Sequence, residues 1–358
     1  MKSLAQRRIL LIGGAGFIGH HLALTLSRLG AKVAVVDSLQ VNNLLAFAAA
    51  DDSVPNRALS LHVIQQRLDM LREASVALHV QDARDSHGLA MIFDSVQPEA
   101  VIHLAGFAHA LRSNADPRGA FEHTLGTLEN TLDCCGREVA HLIYFSSSMV
   151  YGHFDGGFVT EQSPCNPLGI YGALKYAGEK MVIARSQVAA LPYTIVRPSA
   201  LYGERCVSRR VVQVFLENVL QGRELTVSGD GDDRLDFTYI EDLVGGIVRV
   251  LQHENARNET FNLTYGCSRS IIELVEMIEE HFPGISVSYE VKNRLMPDRG
   301  TLCIDKARSL IGYDPLHPLE RGLSKYVWWY RSLGEAPDLG SGVPRRADRS
   351  EKAAAVAL

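Results

Sequence analysis

Residues Arg8-Ile9-Leu10-Leu11-Ile12-Gly13-Gly14-Ala15-Gly16-Phe17-Ile18-Gly19 leave little freedom in what this chain can fold into. The apolar run Ile9 to Ile12 has the length and abrupt end of a core strand in a parallel sheet. It runs into glycines that fit G-x-G-x-x-G through Gly14, Gly16 and Gly19, and G-x-x-G-x-x-G through Gly13, Gly16 and Gly19. In such a turn one glycine permits the tight bend, one lets backbone approach a diphosphate, and one lets the next helix pack close to the strand. The helix start then offers unpaired N–H groups and a positive dipole end to the phosphates. A helix from about Gly16 to Leu29, with Gly30 as its stop, leads into a second strand, Lys32 to Val36, that ends in Asp37. An acid about 20 residues beyond the glycines is what the ribose 2′-hydroxyl of NAD requires.

Composition narrows the class. The chain has 358 residues, 46% of them hydrophobic, which is enough for one large core or two domains. A net charge of −5 argues against a general nucleic-acid binder. The six cysteines have no C-x-x-C or zinc spacing, so a reduced, cytoplasmic chain without a metal is expected. No apolar run reaches the roughly 20 residues needed to cross a bilayer, and the basic N-terminal residues precede a run too short for a signal peptide.

Further along, strands are expected at Val76–Val80, Ala100–Leu104, His141–Phe145 and Tyr193–Arg197. Helices are expected at about 59–72, 117–135, 171–189, 208–221, 241–252, 270–281 and 305–311. His20 and His21, adjacent in the first helix, point in different directions and read as packing or surface groups. Strands alternating with helices indicate an α/β fold, a Rossmann-type doubly wound parallel sheet covered on both faces, with a smaller C-terminal α/β lobe. On this reading residues 1–200 form the NAD-binding domain, with 236–252 returning to it. Residues 201–333 form a substrate-binding lobe, and 334–358 a flexible tail.

Tyr171 and Lys175 are four apart and share a helix face. A phenol has an ordinary pKa of about 10, and a nearby ammonium stabilises its phenolate. The same lysine can hydrogen-bond the ribose of a nicotinamide cofactor. Ser147, at the end of the His141–Phe145 strand, can hold the reacting hydroxyl beside the phenol. Together they suit removal of a proton from an alcohol whose hydride leaves to NAD. Arg205, Arg209 and Arg210 cluster at the start of the expected 208–221 helix, where the dipole disfavours cations, so an anion among them is expected.

The glycine turn, Asp37, Gln81-Asp82-Ala83, His103-Leu104-Ala105-Gly106, Ser146 through Gly152, the Tyr171/Lys175 pair and Arg197-Pro198 resemble the extended short-chain dehydrogenase/reductases. More narrowly they resemble the NAD-dependent epimerase/dehydratase branch that acts on nucleotide sugars, over about residues 8–332. The resemblance implies tightly held NAD against Gly13, Gly16, Phe17, Ile18, Gly19, Asp37, Asp82, Ala83, Leu104, Ala105 and Gly106, with Tyr171 and Lys175 at its nicotinamide end. It implies Tyr171 as base, Ser147 as partner, and a nucleotide-diphosphate sugar near Ser113, Ser148, Met149, Arg205, Arg210, Arg234 and Arg299. It further implies a homodimer formed through helices at about 117–135 and 171–188.

In dehydratase and decarboxylase members an acid commonly stands two or three positions before the tyrosine of the V-Y-G motif. Here those positions are Met149 and Ser148. The expectation is therefore an epimerase, at C4, that oxidises the sugar to a ketone and reduces it again. The alternative is a nucleotide-sugar dehydrogenase or ketoreductase with the same three residues; a dehydratase, a decarboxylase and a non-catalytic NAD sensor rank below it. Some positions depart from the family pattern. Ala200 stands where Asn is frequent, Arg234 is displaced by one from the usual Arg-Asp-Phe, His123 or Thr124 takes another Asn position, and the 39–75 connection is long.

Overall fold

The sheet grows outward from the Arg8–Ile12 strand in both directions. In the computed structural model, which describes residues 2–50 and 54–333, seven parallel strands form the main sheet. We number them β1 Arg8–Ile12, β2 Lys32–Asp37, β3 Ala77–Val80, β4 Ala100–His103, β5 His141–Phe145, β6 Tyr193–Arg197 and β7 Glu259–Asn262. Their spatial order is β7-β6-β5-β4-β1-β2-β3. Ile12 pairs with Val36 on one side and with His103 on the other. The order reverses between β1 and β4, and the crevice beyond the C-terminal ends of those strands is where ligands of open α/β sheets bind.

Alternation along β1 divides the core. Ile9 and Leu11 belong to one buried cluster, Leu10 and Ile12 to another on the opposite face. The helix Phe17–Arg28 lies beside Ile240–Gln252 on one face. On the other, Gly169–Ala189 packs with Thr127–Cys134. Beyond β6 the chain makes small two-stranded pairings, Leu201–Tyr202 with Thr238–Tyr239, Leu225–Ser228 with Val287–Glu290 and Arg234–Leu235 with Arg269–Ser270, and Thr301–Leu302 pairs back with Phe158–Val159 from between β5 and β6.

Several elements differ from the sequence reading. The 39–75 connection holds two helices, Leu44–Ala48 and Arg57–Glu73, where one was expected. The helix over 117–135 is interrupted by a π turn at Glu122–Gly126. The helix expected from 208 begins at Val211, so Arg210 is its N-cap and Arg209 precedes it with φ +52. The sheet edge is completed by β7, outside the 236–252 return. The tail expected at 334–358 lies outside the described residues.

Candidate active site

Two adjoining cavities open at the switch point. The first is lined by Gly13, Gly16, Phe17, Ile18, Gly19, Asp37, Asp82, Ala83, Leu104, Ala105 and Gly106, all singled out from sequence. Gly13 has φ +79, and a Cβ there would stand 2.8 Å from the Ala105 backbone nitrogen. A Cβ on Gly19 would stand 2.5 Å from the Gly14 Cα, so the helix meets the turn in direct backbone contact. Gly16 caps the Phe17–Arg28 helix without any side-chain hydrogen bond and without an acid in the first turn, leaving the helix start to an anionic ligand. The half-buried Asp37 carboxylate accepts from the backbone N–H groups of Ala15 (3.0 Å) and Leu39 (2.8 Å). Burial raises its pKa, and these two donors and Arg67 oppose the rise. Burial also pushes the Asp82 carboxyl upward, but hydrogen bonds and charge from Arg84 outweigh it, and its pKa is lowered. A glycine cradle with an open helix start at one end and carboxylates at the strand ends fits a dinucleotide.

The second cavity, about 400 Å³, is lined by Ser147, Ser148, Met149, Tyr171, Lys175, Arg209, Arg210, Arg234 and Arg299. Its reacting wall comes from two segments in close contact. Ser147 ends β5 and caps a short 3-10 turn, its Oγ accepting from the Met149 N–H at 3.2 Å. The Gly169–Ala189 helix meets that turn at Gly172, where a Cβ would stand 2.7 Å from the Met149 carbonyl oxygen. A buried ion pair fixes the same helix lower down. Arg197 Nε and Nη2 donate to the two Glu179 oxygens at 2.9 and 2.6 Å, and Ser146 Oγ donates to the first of them. Lys175 is buried, donates from Nζ to the Phe145 carbonyl at 2.8 Å, and has its pKa lowered to about 8 by burial. Two of its three protons are left for other acceptors. Among the described residues none hydrogen-bonds the Tyr171 hydroxyl, which stands at the wall of this cavity.

Ile18, Leu104, Gly106, Ala108 and Arg210 line both cavities, so the tyrosine and lysine stand in the chamber next to the glycine turn. Tyr171 and Lys175 themselves line only the second. Two expected substrate residues are not in either cavity. Ser113 is buried and donates from Oγ to the His109 carbonyl at 3.0 Å. Arg205 is spent elsewhere: its Nε donates to His20 Nε2 at 3.2 Å, and its carbonyl accepts from Arg67. His20 and His21 are thus connectors rather than simple packing groups, His21 Nε2 lying 3.0 Å from the Glu204 carbonyl oxygen. Arg234 lines the second cavity but is tied to Ser268 and Glu273. Arg299 makes no ion pair among the described residues. Its pKa is lowered to about 10, chiefly by burial, with Asp233 opposing and Arg210 adding to the shift.

The model of the NAD dependent epimerase/dehydratase family matches residues 9–264. The chain belongs to that family. It is an enzyme of the extended short-chain dehydrogenase/reductase type, and its cofactor is NAD. It is similar to UDP-glucuronate 4-epimerase 1 of Arabidopsis thaliana, with 28% identity over 90% of this chain and 76% of that one. It is equally similar to a dTDP-glucose 4,6-dehydratase of Neisseria gonorrhoeae, with 28% identity over 92% of this chain and 97% of that one. Among solved structures it is similar to a Thermus thermophilus UDP-glucose 4-epimerase in complex with NAD, with a TM-score of 0.76, 26% identity, and 90% and 99% of the two chains covered.

Within this epimerase/dehydratase chain the sequence reading missed several lining residues. Thr127, Val41, Asn42 and Ser208 border the first cavity. His109, Phe215, Lys292 and Met296 border the second. Of the two candidates for the missing asparagine, it is His123 that lines the cofactor cavity, stacked on Phe107 with ring centroids 5.3 Å apart. Asn42 could have been found from its place just beyond Asp37. The Lys292 and Met296 segment carries no local signal. Among the described residues no cluster suited to a metal ion occurs, and no helix is long and apolar enough to cross a membrane.

Proposed function

We propose that this enzyme epimerises a nucleotide-diphosphate sugar at C4, by transient oxidation to a 4-keto sugar and re-reduction. The observation that carries the reading is the shared chamber: Ser147, Tyr171 and Lys175 line one cavity, which adjoins the glycine-turn cavity through Ile18, Leu104 and Gly106. When bound, NAD supplies the acceptor that takes a hydride from the sugar carbon and gives it back. Tyr171 removes the proton from the C4 hydroxyl as the hydride leaves and returns it in the reverse step. Ser147 holds that hydroxyl by a hydrogen bond, and Lys175 faces the nicotinamide ribose while its positive charge favours the phenolate.

The lining of the cavity favours epimerisation over water loss. Met149 and Ser148 stand where a further acid would be needed, and the carboxylate of the described lining, Asp233, is held by Lys292 at 2.5 Å. The sugar's diphosphate is assigned to the free guanidinium of Arg299, with Arg209 on the same wall. For the chain as a whole we assign residues 1–200 with 236–252 to cofactor binding and 201–333 to the sugar. We also assign it to the cytoplasm, in keeping with its six unpaired cysteines, and to a homodimer through the helices near 117–135 and 171–188, where Phe121 and Val188 are exposed. Light scattering on the purified protein checks the last point.

Products from a panel of UDP-, GDP-, dTDP- and CDP-sugars, read by mass spectrometry and NMR, test the reaction. The expected product is a 4-epimer of unchanged mass. Loss of water or carbon dioxide, or accumulation of a ketone with reduced cofactor, contradicts it.

A further inference from the structure

We propose that Arg210 is a clasp on the cofactor: its guanidinium reaches the diphosphate of NAD lying across the glycine turn and closes it in from the second lobe. The proposal rests on the assignment of the first cavity to NAD and is independent of the sugar.

Five residues line both cavities, and of these Arg210 is the one with a polar side chain. Ser208, two residues earlier, also lines the cofactor cavity. The Arg210 Nε is buried with no hydrogen-bond partner, and among the described residues its guanidinium makes no ion pair. A buried guanidinium donor is costly unless an anion completes it. The same cavity contains the Gly13–Gly19 turn and the open helix start, where phosphate oxygens are favoured by backbone N–H groups and the dipole. Arg299, by contrast, lines the second cavity alone. On this proposal the two arginines divide the anions, Arg210 at the junction of the cavities taking that of the cofactor and Arg299 that of the sugar nucleotide.

The loop that carries Arg210 is fastened to the cofactor half. His20 Nδ1 lies 2.9 Å from the Gly16 carbonyl oxygen, and its Nε2 accepts from Arg205 Nε at 3.2 Å. The imidazole is therefore the neutral Nδ1–H tautomer, one nitrogen on the glycine turn and the other on the arginine loop. His21 donates to the Glu204 carbonyl. The fully buried Arg67, from the long 39–75 connection, donates to the Arg205 carbonyl. His20 and His21 thus hold residues 204–205 against the helix that starts at the cofactor cradle, five residues ahead of Arg210, and Arg67 ties the same segment to the Arg57–Glu73 helix.

The test uses the full-length enzyme as purified, with Arg210→Gln, Arg210→Lys and Arg299→Gln. Exchange of bound NAD against isotopically labelled NAD is followed by mass spectrometry, and UDP binding by calorimetry. Arg210→Gln is expected to speed NAD exchange by about ten- to a hundred-fold, the scale of one charge-assisted hydrogen bond lost. Arg210→Lys should fall between it and the unaltered enzyme. Arg299→Gln should leave NAD exchange within about twofold and weaken UDP by about ten-fold. NAD exchange in Arg210→Gln within about twofold of the unaltered enzyme overturns the proposal, also when UDP affinity falls in that variant. Should Arg210→Gln not fold, Arg210→Lys decides: an increase of about threefold or more supports the clasp, and an unchanged rate overturns it. NAD exchange is scored without any sugar, so a failure of the nucleotide-sugar reading shows only as absent UDP binding.

Discussion

The two cavities are walled by different materials. Around the cofactor cavity stand Gly13, Gly16, Gly19, Ala83, Ala105 and Gly106, so part of its wall is backbone placed by the ends of β1, β3 and β4, with Asp37, Asp82, His123 and Arg210 among the side chains that complete it. Around the second stand Met149, Tyr171, Arg209, Phe215, Lys292 and Arg299, long side chains sent in from separate segments. A wall of backbone is set by sheet register and has no room for an added atom. A wall of side chains can be refurnished without touching the sheet. One fold can therefore keep a single cofactor while its sugar chamber changes, and the family's mixture of epimerases and dehydratases is what such a division permits.

The sharpest way to break this contrast is to remove one reacting atom from the side-chain wall. Tyr171→Phe should lower kcat by about a thousand-fold or more while NAD stays bound, measured by turnover and by cofactor content after gel filtration. Loss of NAD together with activity would mean that the tyrosine belongs to the cradle instead. Next in size is an added methyl on the backbone wall. Gly19→Ala places a Cβ 2.5 Å from Gly14, and is expected to cost about 1–3 kcal/mol of stability in thermal unfolding and to leave the protein depleted of NAD.

Lys175 sharpens the comparison through pH. Its pKa is about 8 against an ordinary 10.5, so kcat should fall as pH rises through about 8 and the ammonium is discharged. Stability should move the other way. Below about pH 8 the buried charge is a constant cost. Between about 8 and 10.5 the unfolded chain holds the extra proton, so this group's contribution rises with pH. Lys175→Met should remove that rising limb from unfolding measured across the same window. The smallest effect is expected at Ser113, which lies outside both cavities. Ser113→Ala should leave KM within about twofold and cost about 1 kcal/mol of stability, through loss of the bond to the His109 carbonyl.

The same division decides how much could be read from the chain. The glycine turn, β5 and β6 and the helix carrying Tyr171 are local patterns of period, length and turn chemistry, and they stand where the sequence puts them. The π turn at Glu122–Gly126 leaves no trace in the apolar spacing around it. Arg205 and Ser113 carry the right residue types for a substrate site, but contacts with His20, Arg67 and His109 turn them away from the cavity. Ser113 and His109 are only four residues apart, but the contacts of Arg205 with His20 and Arg67 join residues far apart in sequence, so no window along the chain displays them. The length of the 39–75 connection was their one visible mark, since it delivers Arg67. Arg299, which lines the second cavity, was named only through the family resemblance, and the basic residues at 205–210 were legible as a cluster, with their separate destinations hidden.

The most direct test of the central claim follows a hydrogen atom. A sugar nucleotide carrying deuterium at C4 is incubated with the enzyme in ordinary water, and the epimerised product is analysed by NMR. Hydride removal and return to the same carbon predicts that the deuterium stays at C4 of the product. Washout of the label into solvent, or its appearance at another carbon, would contradict the account.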